Sequence, residues 1–250
     1  MGVDAPQDLS GEAVRAALPG RASRAFPALL STEAEARSWA RAGAPRGAVV
    51  VADYQAAPRG RAGMPWEVRA GEGLGFSLVV RQRLPAEREG WLYTAATCAL
   101  ADVAGKDAAI HWPDVVDRGV AGRRTAAVAV HAALDAAGVE WAVLTVLVEG
   151  ARPPRAGLLA ETVAAIEHRC ASASGAVLAD YVPRCATLGR TVRARLVPLG
   201  PSGPQVTGEA VDCLPDGALV LRTAKGSRVA VRPQHLGVLE DAEAAPGQPQ

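Results

Sequence analysis

The sequence predicts an α+β fold, in which a mixed, largely antiparallel sheet with packed helices is followed by a small C-terminal β-barrel. Two apolar runs of strand length, 125–134 and 141–148, flank a short turn ending in Gly138, which predicts a hairpin. Apolar residues recur at helical spacing through 92–103 and 159–170. After about residue 185, short strand-like runs alternate with turn residues, a pattern typical of a small barrel.

Composition limits the classes of function. The chain has 250 residues, of which 49% are hydrophobic, so it can bury a substantial core. Its net charge of +1 gives no sign of a nucleic-acid or membrane partner, and no apolar run approaches the roughly 20 residues of a membrane helix. The four cysteines lack the spacing of a zinc site or disulfide framework, so no metal site is predicted and reduced thiols in a cytoplasmic protein are expected.

The N-terminal part divides into a leader and a first helix. Residues 1–25 are rich in Gly, Ala and Pro, which predicts a loose leader with a short helix at 11–18. Thr32 as N-cap, with Glu35 three residues later, fits a capping box and predicts a helix that runs to Gly43.

A basic, glycine-containing loop follows the β-branched strand 49–51. Gly60 and Gly63 allow backbone N–H groups to approach a ligand closely, while Arg59 and Arg61 supply charge and forked donors. This combination favours a phosphate cradle. From spacing alone, an exposed basic loop without a ligand is at least as common.

The rest of the chain is predicted as alternating elements. A buried strand at 74–80 precedes the helix at 92–103, which is followed by the hairpin and the second helix. Four short strands then follow at 191–197, 206–213, 218–223 and 228–231. The predicted domains are a leader (1–25), a larger domain (26–184), a small barrel domain (185–240) and a disordered tail (241–250).

Several of these stretches together resemble the biotin protein ligases, and the chain is identified as a divergent member of the biotin/lipoate protein ligase superfamily. Tyr54-Gln55, Arg59-Gly60-Arg61, Gly63 and Trp66 match the family's strand and RGR loop, although Pro58 stands where the family has glycine. Ser31-Thr32 match a Ser-Thr-Asn motif whose Asn is Glu33 here. The C-terminal stretch from Cys185 resembles the family's SH3-like domain.

The resemblance implies a two-step reaction. ATP with Mg²⁺ would activate biotin to biotinyl-AMP, and a lysine of a biotin carboxyl carrier protein domain of an acyl-CoA carboxylase would then accept the biotin. The implied catalytic residues are Arg61, His111 and Arg123. The implied substrate-binding residues are Ser31, Thr32, Gln55, Arg59, Gly60, Gly63, Trp66, Trp112 and Asp114. A homodimer is left open.

The chain departs from the family at its lysines. Lys106 and Lys225 are its only lysines, so His111 stands for one family lysine, and Arg123 or Arg124 for the other. Asp114 replaces an Asn, and a carboxylate ~4 Å from a phosphate charge would cost about 4 kcal/mol at an effective dielectric constant of 20.

Two alternatives therefore stay open. One is a catalytically degenerate paralogue that binds a carrier protein or a biotin-like ligand without turnover. The other is a lipoate or octanoate transferase, for which the RGR loop and C-terminal domain are a poorer match. His131, in an apolar strand, is predicted to be an ordinary core residue.

Overall fold

Two β-sheets and five helices make up the structure, a computed structural model that describes residues 7–118, 124–200 and 202–242. The first sheet has seven strands in the order β1-β2-β3-β7-β6-β5-β4. They are β1 (Ser23–Leu29), β2 (Val49–Gln55), β3 (Leu74–Val80), β4 (Ala109–His111), β5 (Val115–Asp117), β6 (Arg124–Asp135) and β7 (Gly138–Val148). Among the strands that the structure describes, only β1 and β2 pair in parallel, so the predicted mixed, largely antiparallel sheet is confirmed.

Helices cover both faces of this sheet. They are α1 (Gly11–Ala17), α2 (Thr32–Arg41), α3 (Trp91–Ala104), α4 (Ala156–Ala171) and α5 (Ser174–Tyr181). Successive residues of a strand point to opposite faces, so β2 contributes Val49 and Val51 to the large core with α3 and α4, and Val50 to a smaller cluster under α2. None of the helices in the described ranges is both long and apolar enough to cross a membrane.

The N-terminal segment is packed rather than loose. Leu9, Val14 and Leu18 are buried in the large core. The carboxylate of Asp8 receives three hydrogen bonds from Arg155, one from its backbone N–H and two from its guanidinium group. The glycine- and alanine-rich composition of 1–25 therefore does not indicate looseness in the part that the structure describes, because three apolar anchors and one ion pair attach it.

The start of α2 also differs from the prediction. The N-cap is Ser31, whose side chain makes no capping hydrogen bond, and the helix begins at Thr32. Glu35 pairs with Arg24 instead of completing a capping box. A donor at the helix start is satisfied from β2, because the N–H of Thr32 donates to Oε1 of Gln55 over 2.8 Å.

The C-terminal sheet has five antiparallel strands in the order β11-β10-β9-β8-β12. They are β8 (Thr191–Leu196), β9 (Gln205–Cys213), β10 (Leu219–Arg222), β11 (Arg228–Val231) and β12 (Leu236–Asp241). The first four were predicted, whereas β12 was not. Among the described strands, β11 and β12 are the two edges and do not pair with each other, so no closed barrel forms. Most of the predicted tail, residues 243–250, lies outside the described residues.

Candidate functional site

A polar row interrupts the apolar face of the first sheet that lies under α2. Strand register places Ser77 opposite Thr145, and Thr145 opposite Ala129. On one side of this row lies the apolar cluster under α2, and on the other a cluster around Trp66. The hydroxyl of Ser77 lies 3.0 Å from that of Thr32 and 2.9 Å from that of Thr145, which forms a continuous hydroxyl chain.

A cavity of about 360 Å³ lies above the polar row. Its walls are the first two turns of α2 and the loop after β2, and its floor comes from β6 and β7. The lining side chains that carry charge or a titratable group are Glu33, Arg37, Arg59, Arg61 and His131. A small anionic ligand therefore suits this volume and this charge.

The loop after β2 that carries Arg59 and Arg61, called the arginine loop below, forms one wall of the cavity. Its shape depends on close packing at Gly60. A Cβ on Gly60 would lie 2.2 Å from Nε1 of Trp66, so only glycine lets the buried indole lie against this backbone. The backbone N–H of Gly60 donates to the carbonyl of Met64, which closes the loop. Arg59 is exposed, donates to the carbonyl of Gly63 over 3.2 Å and faces the cavity.

Arg61 is held differently from Arg59. It is 7% exposed, and its guanidinium donates to the carbonyls of Leu236 and Gly237 in the second sheet. Its Nε lies 3.2 Å from Oδ2 of Asp114 without hydrogen-bond alignment, so this contact is an ion pair. Arg61 thus fastens the loop to the C-terminal sheet, a tie that the sequence did not predict.

The residues around Trp112 lie beside a different cavity. This second cavity, of about 300 Å³, is bordered by His111, Trp112, Asp114 and the edge of the C-terminal sheet. Nε2 of His111 lies 2.6 Å from Oδ2 of Asp117. The backbone N–H of Trp112 donates to the hydroxyl of Thr187, and its indole donates to the carbonyl of Gly217, so Trp112 links the two sheets.

The predicted site residues are therefore distributed over two neighbouring cavities that share Arg61. Arg59, Gly60 and Gly63 line the first cavity, and Thr32 joins its floor through the hydroxyl chain. Trp66 lines the second cavity, together with His111, Trp112 and Asp114. Ser31 is buried at the start of α2, and Gln55 holds that start through Thr32. Arg123 lies outside the described residues.

Sequence reasoning missed four polar residues that line the first cavity: Glu33 as an ionic group, Arg37, His131 and Thr145. His131 was predicted to be an ordinary core residue, but it borders this cavity and a smaller one of about 180 Å³. Burial, followed by the nearby charges of Arg37 and Arg41, lowers the pKa of His131, which favours the neutral imidazole at pH 7. The alternation of β6 and β7 placed His131 and Thr145 on one face, but it could not show that this face opens into a cavity.

Comparisons with known proteins give partial sequence matches and a shared fold. No family model matches the chain. The bifunctional ligase/repressor BirA of Bacillus subtilis is 36% identical over 90 residues, which cover 34% of this chain and 28% of that protein. BirA of Bacillus spizizenii is 35% identical over 88 residues. The matched stretch spans just over a quarter of the length of these curated relatives.

Solved structures extend the similarity over most of the chain. The biotin protein ligase of Aquifex aeolicus in complex with biotin and ATP covers 88% of this chain, with a TM-score of 0.64 and 17% identity. The biotin acetyl coenzyme A carboxylase synthetase of Helicobacter pylori covers 84%, with a TM-score of 0.60 and 18% identity. The chain shares the fold of the biotin protein ligases.

At these identities, the structural likeness shows a shared fold. The fold is shared equally with a biotin protein ligase-like protein of unknown function from Silicibacter, at a TM-score of 0.63, 12% identity and 86% coverage of this chain. The chemistry of this chain must therefore be argued from the cavities and the residues that line them.

Proposed function

We propose that this biotin protein ligase relative activates biotin with ATP and transfers it to a lysine of a biotin carboxyl carrier protein domain. In the first step, a biotin carboxylate oxygen attacks the α-phosphate of ATP, which gives biotinyl-AMP and pyrophosphate. In the second step, the lysine amine attacks the acyl carbon, an amide forms and AMP leaves. Both steps depend on positioning and on stabilisation of negative charge.

The observation that carries this proposal is the cationic cavity enclosed by the arginine loop and α2. Its volume of about 360 Å³ suits a small ligand, and it has Arg37 and Arg59 in its lining. Arg59 has the accessibility that contact with a carboxylate or phosphate requires, and guanidinium groups bind both in forked geometry. Arg59 is therefore the main anion contact in this proposal.

The other residues shape the cavity, hold the loop in place or line the second cavity. Gln55 and Thr32 hold the start of α2 against the cavity floor, and Gly60, Gly63 and Trp66 shape the loop wall.

Arg61 and Asp114 fasten that loop to the C-terminal sheet, so they act on the reaction through the loop. His111 and Trp112 line the second cavity, where part of the nucleotide would lie. Arg123 is retained as a cation that could approach phosphate.

Several finer parts of the proposal come from the resemblance. The C-terminal sheet is treated as a variant of the SH3-like domain of these ligases, and the domains are divided near residue 185. ATP carries Mg²⁺ on its phosphates, as hard oxygen ligands favour, and none of the residue roles above depends on the ion. A homodimer is compatible with the proposal but is not required by it.

A catalytically degenerate paralogue is the second candidate, and one observation favours it. The cation of Arg61 is already paired with Asp114, and His111 lies against Asp117, so each of these two predicted catalytic side chains has an acidic partner although both line the second cavity. In this form the protein would bind biotin, or a carrier protein, without forming the adenylate.

The two candidates are separated by one pair of measurements. Biotin-dependent exchange of pyrophosphate into ATP reports adenylate formation, and calorimetry with biotin reports binding. Exchange supports the ligase, while binding without exchange supports the degenerate paralogue. If neither biotin binding nor exchange is detected, the ligase is rejected and only a scaffold role, such as binding a carrier protein, is left.

A further inference from the structure

Two cysteines that are distant in the sequence meet at the junction of the two sheets. Cys185 follows α5, and the N–H of its neighbour Ala186 donates to the carbonyl of Ile110 in β4, which attaches this segment to the first sheet. Cys213 is the last residue of β9, in the second sheet. The two thiols share a hydrogen bond, and each residue is only 6% exposed. A pair of sulfur atoms thus lies where the chain passes from one sheet to the other.

The surroundings of the pair favour a negative charge on Cys185. Its sulfur accepts hydrogen bonds from the thiol of Cys213, from the backbone N–H groups of Thr187 and Leu188, and from the hydroxyl of Thr187. The bond from Cys213, together with those from the backbone, outweighs burial and lowers the pKa of Cys185. The same bond, followed by burial, raises the pKa of Cys213. The proton between the two sulfur atoms therefore stays on Cys213, and Cys185 has the thiolate character that makes a cysteine nucleophilic.

The other two cysteines provide an internal comparison. Burial raises the pKa of Cys98 to about 11 and that of Cys170 to about 12. Both side chains are therefore protonated thiols at neutral pH, which react slowly with oxidants. The four cysteines of the chain thus divide into one activated pair and two inert core residues.

We infer that Cys185 and Cys213 form a redox modification site, at which hydrogen peroxide joins the two sulfur atoms in a disulfide. Peroxide is the class of oxidant that fits, because it is little larger than water and both cysteines are almost buried. The spacing of the cysteines along the sequence gave no sign of a pair, since the contact is made between the sheets. The site needs neither biotin nor ATP, so it does not depend on the proposed function.

Two steps convert the dithiol into the disulfide. The thiolate of Cys185 attacks one oxygen of the peroxide, so that an S–O bond forms, the O–O bond breaks, and the leaving hydroxide takes a proton from solvent to give water. The sulfur of Cys213 then attacks the sulfenic acid of Cys185. The S–S bond forms, the S–O bond breaks, and the hydroxyl group leaves as water with the proton of Cys213. Together the two thiols lose two electrons, and the peroxide is reduced to two water molecules.

The pair lies directly behind the wall of the second cavity. Thr187 lines that cavity, and its hydroxyl accepts from the backbone N–H of Trp112 over 2.9 Å while it donates to the sulfur of Cys185. Formation of the disulfide removes the negative charge to which Thr187 donates. The oxidation state of the pair is therefore transmitted through one hydroxyl group to residues that line the second cavity.

The test treats the folded wild-type protein with hydrogen peroxide. Catalase removes the peroxide before the protein is unfolded, alkylated with iodoacetamide, digested and analysed by mass spectrometry. We expect two peptides joined through Cys185 and Cys213, about 2 Da lighter than the sum of the reduced peptides, which dithiothreitol separates again. Cys98 and Cys170 should be alkylated, and Cys185 should be oxidised at least about tenfold faster than either.

Two variants identify the roles of the two sulfur atoms. Cys213→Ser keeps a hydroxyl donor but removes the sulfur that closes the bond, so the sulfenic acid of Cys185 should persist and be trapped by dimedone. Cys98→Ser is the matched control, because it removes a buried thiol outside the pair. It should leave the disulfide between Cys185 and Cys213 unchanged.

The wild-type protein alone can overturn the inference. Four reduced cysteines after peroxide treatment would do so, and so would oxidation of Cys98 or Cys170 as fast as Cys185, which would indicate unfolding instead of a site. Absence of a dimedone adduct in Cys213→Ser would reject Cys185 as the attacking thiolate. None of these readouts involves pyrophosphate exchange, so failure of the proposed function and failure of this inference are measured separately.

Discussion

Nε of Arg61 lies 3.2 Å from Oδ2 of Asp114, and both side chains are at most one-tenth exposed. The second arginine of the loop is thus neutralised within the protein before any ligand arrives. From sequence alone, the carboxylate of Asp114 is expected to repel a phosphate. In the structure, Asp114 is the counter-ion of that arginine. Substitutions in this pair can therefore separate the contribution of Arg61 to holding the loop in place from the contribution of its charge to ligand binding.

Asp114→Asn keeps the shape of the side chain and removes its charge. We expect a loss of about 1–3 kcal/mol in the free energy of unfolding, because Arg61 stays buried with a weaker partner. Pyrophosphate should bind more tightly, since a negative charge leaves the lining of the second cavity. Urea denaturation and calorimetry measure the two effects. Unchanged stability together with unchanged pyrophosphate affinity would contradict the assigned ion pair.

Arg59→Ala should lose ATP-dependent binding, whereas Arg61→Ala should lose stability. Arg59 is exposed, so its loss should weaken ATP-dependent binding at least about tenfold and leave the unfolding free energy within about 0.5 kcal/mol of wild type. Arg61→Ala leaves Asp114 without this buried partner and should cost about 3–5 kcal/mol. Nucleotide titration and urea denaturation separate the two.

Arg228→Ala, in strand β11 at the edge of the second sheet, is the control, because its side chain is 61% exposed. Arg228→Ala should change neither ATP-dependent binding nor the free energy of unfolding. Equal stability of Arg59→Ala and Arg61→Ala would show that the tie to the C-terminal sheet does not form in solution.

Gly60→Ala should distort the loop wall through packing alone. Gly60 has a φ of −88°, which alanine adopts easily, but the new Cβ would meet the indole of Trp66 at 2.2 Å. We expect a cost of about 1–3 kcal/mol and a shift in tryptophan emission as the indole moves. Gly63→Ala is the comparison, because Gly63 has open space but a φ of +75°. It should cost about 1 kcal/mol through backbone strain, with emission unchanged.

Asp8→Asn tests whether the N-terminal segment is part of the folded core. Arg155 is fully buried and donates to Asp8 and Asp53, so loss of the first charge should cost about 1.5–3 kcal/mol. Burial opposes ionisation of Asp8, but the hydrogen bonds and charge of Arg155 outweigh it and lower its pKa below 3.8. The stabilisation is therefore complete above pH 3.8 and is lost as the pH falls through the lower, folded-state pKa.

Urea denaturation of Asp8→Asn at neutral pH, and again near pH 3, measures this contribution. Glu161→Gln removes an exposed carboxylate of α4 and is the control, with an expected change within about 0.5 kcal/mol. If Asp8→Asn were as stable as this control at neutral pH, the segment would be the loose leader that composition suggested.

His131 should make stability depend on pH in the mildly acidic range. Its pKa is lowered in the folded state by burial and by the charges of Arg37 and Arg41. As the pH falls, the imidazole therefore takes up a proton at a higher pH in the unfolded chain than in the folded protein. The unfolding free energy should thus fall as the pH drops from about 6.5 towards the lower, folded-state pKa of the imidazole. His131→Gln should flatten this dependence in chemical denaturation between pH 7 and 5. A slope that is the same in both proteins would contradict the assignment.

Local sequence patterns predicted most of the first sheet. The apolar runs of β3, β6 and β7 and the helical spacing of α4 are short-range properties that burial then confirms, whereas α3 is buried on all sides from Trp91 to Ala101. Strands β1, β4, β5 and β12 were missed. β1 is an edge strand without a fully buried residue, and only one of its two sides has a neighbouring strand.

What the sequence by itself determined is most of the elements, the arginine loop and the resemblance to a known fold. Only the tertiary structure decided which arginine faces the cavity and which is fastened to Asp114, because that depends on backbone carbonyls 175 and 176 residues away. It also decided that Gln55 holds the start of α2 and that Thr145 meets Ser77 on the next strand. The reason is physical: hydrogen bonds and ion pairs act over a few ångströms in space, and a sequence pattern reports only separation along the chain.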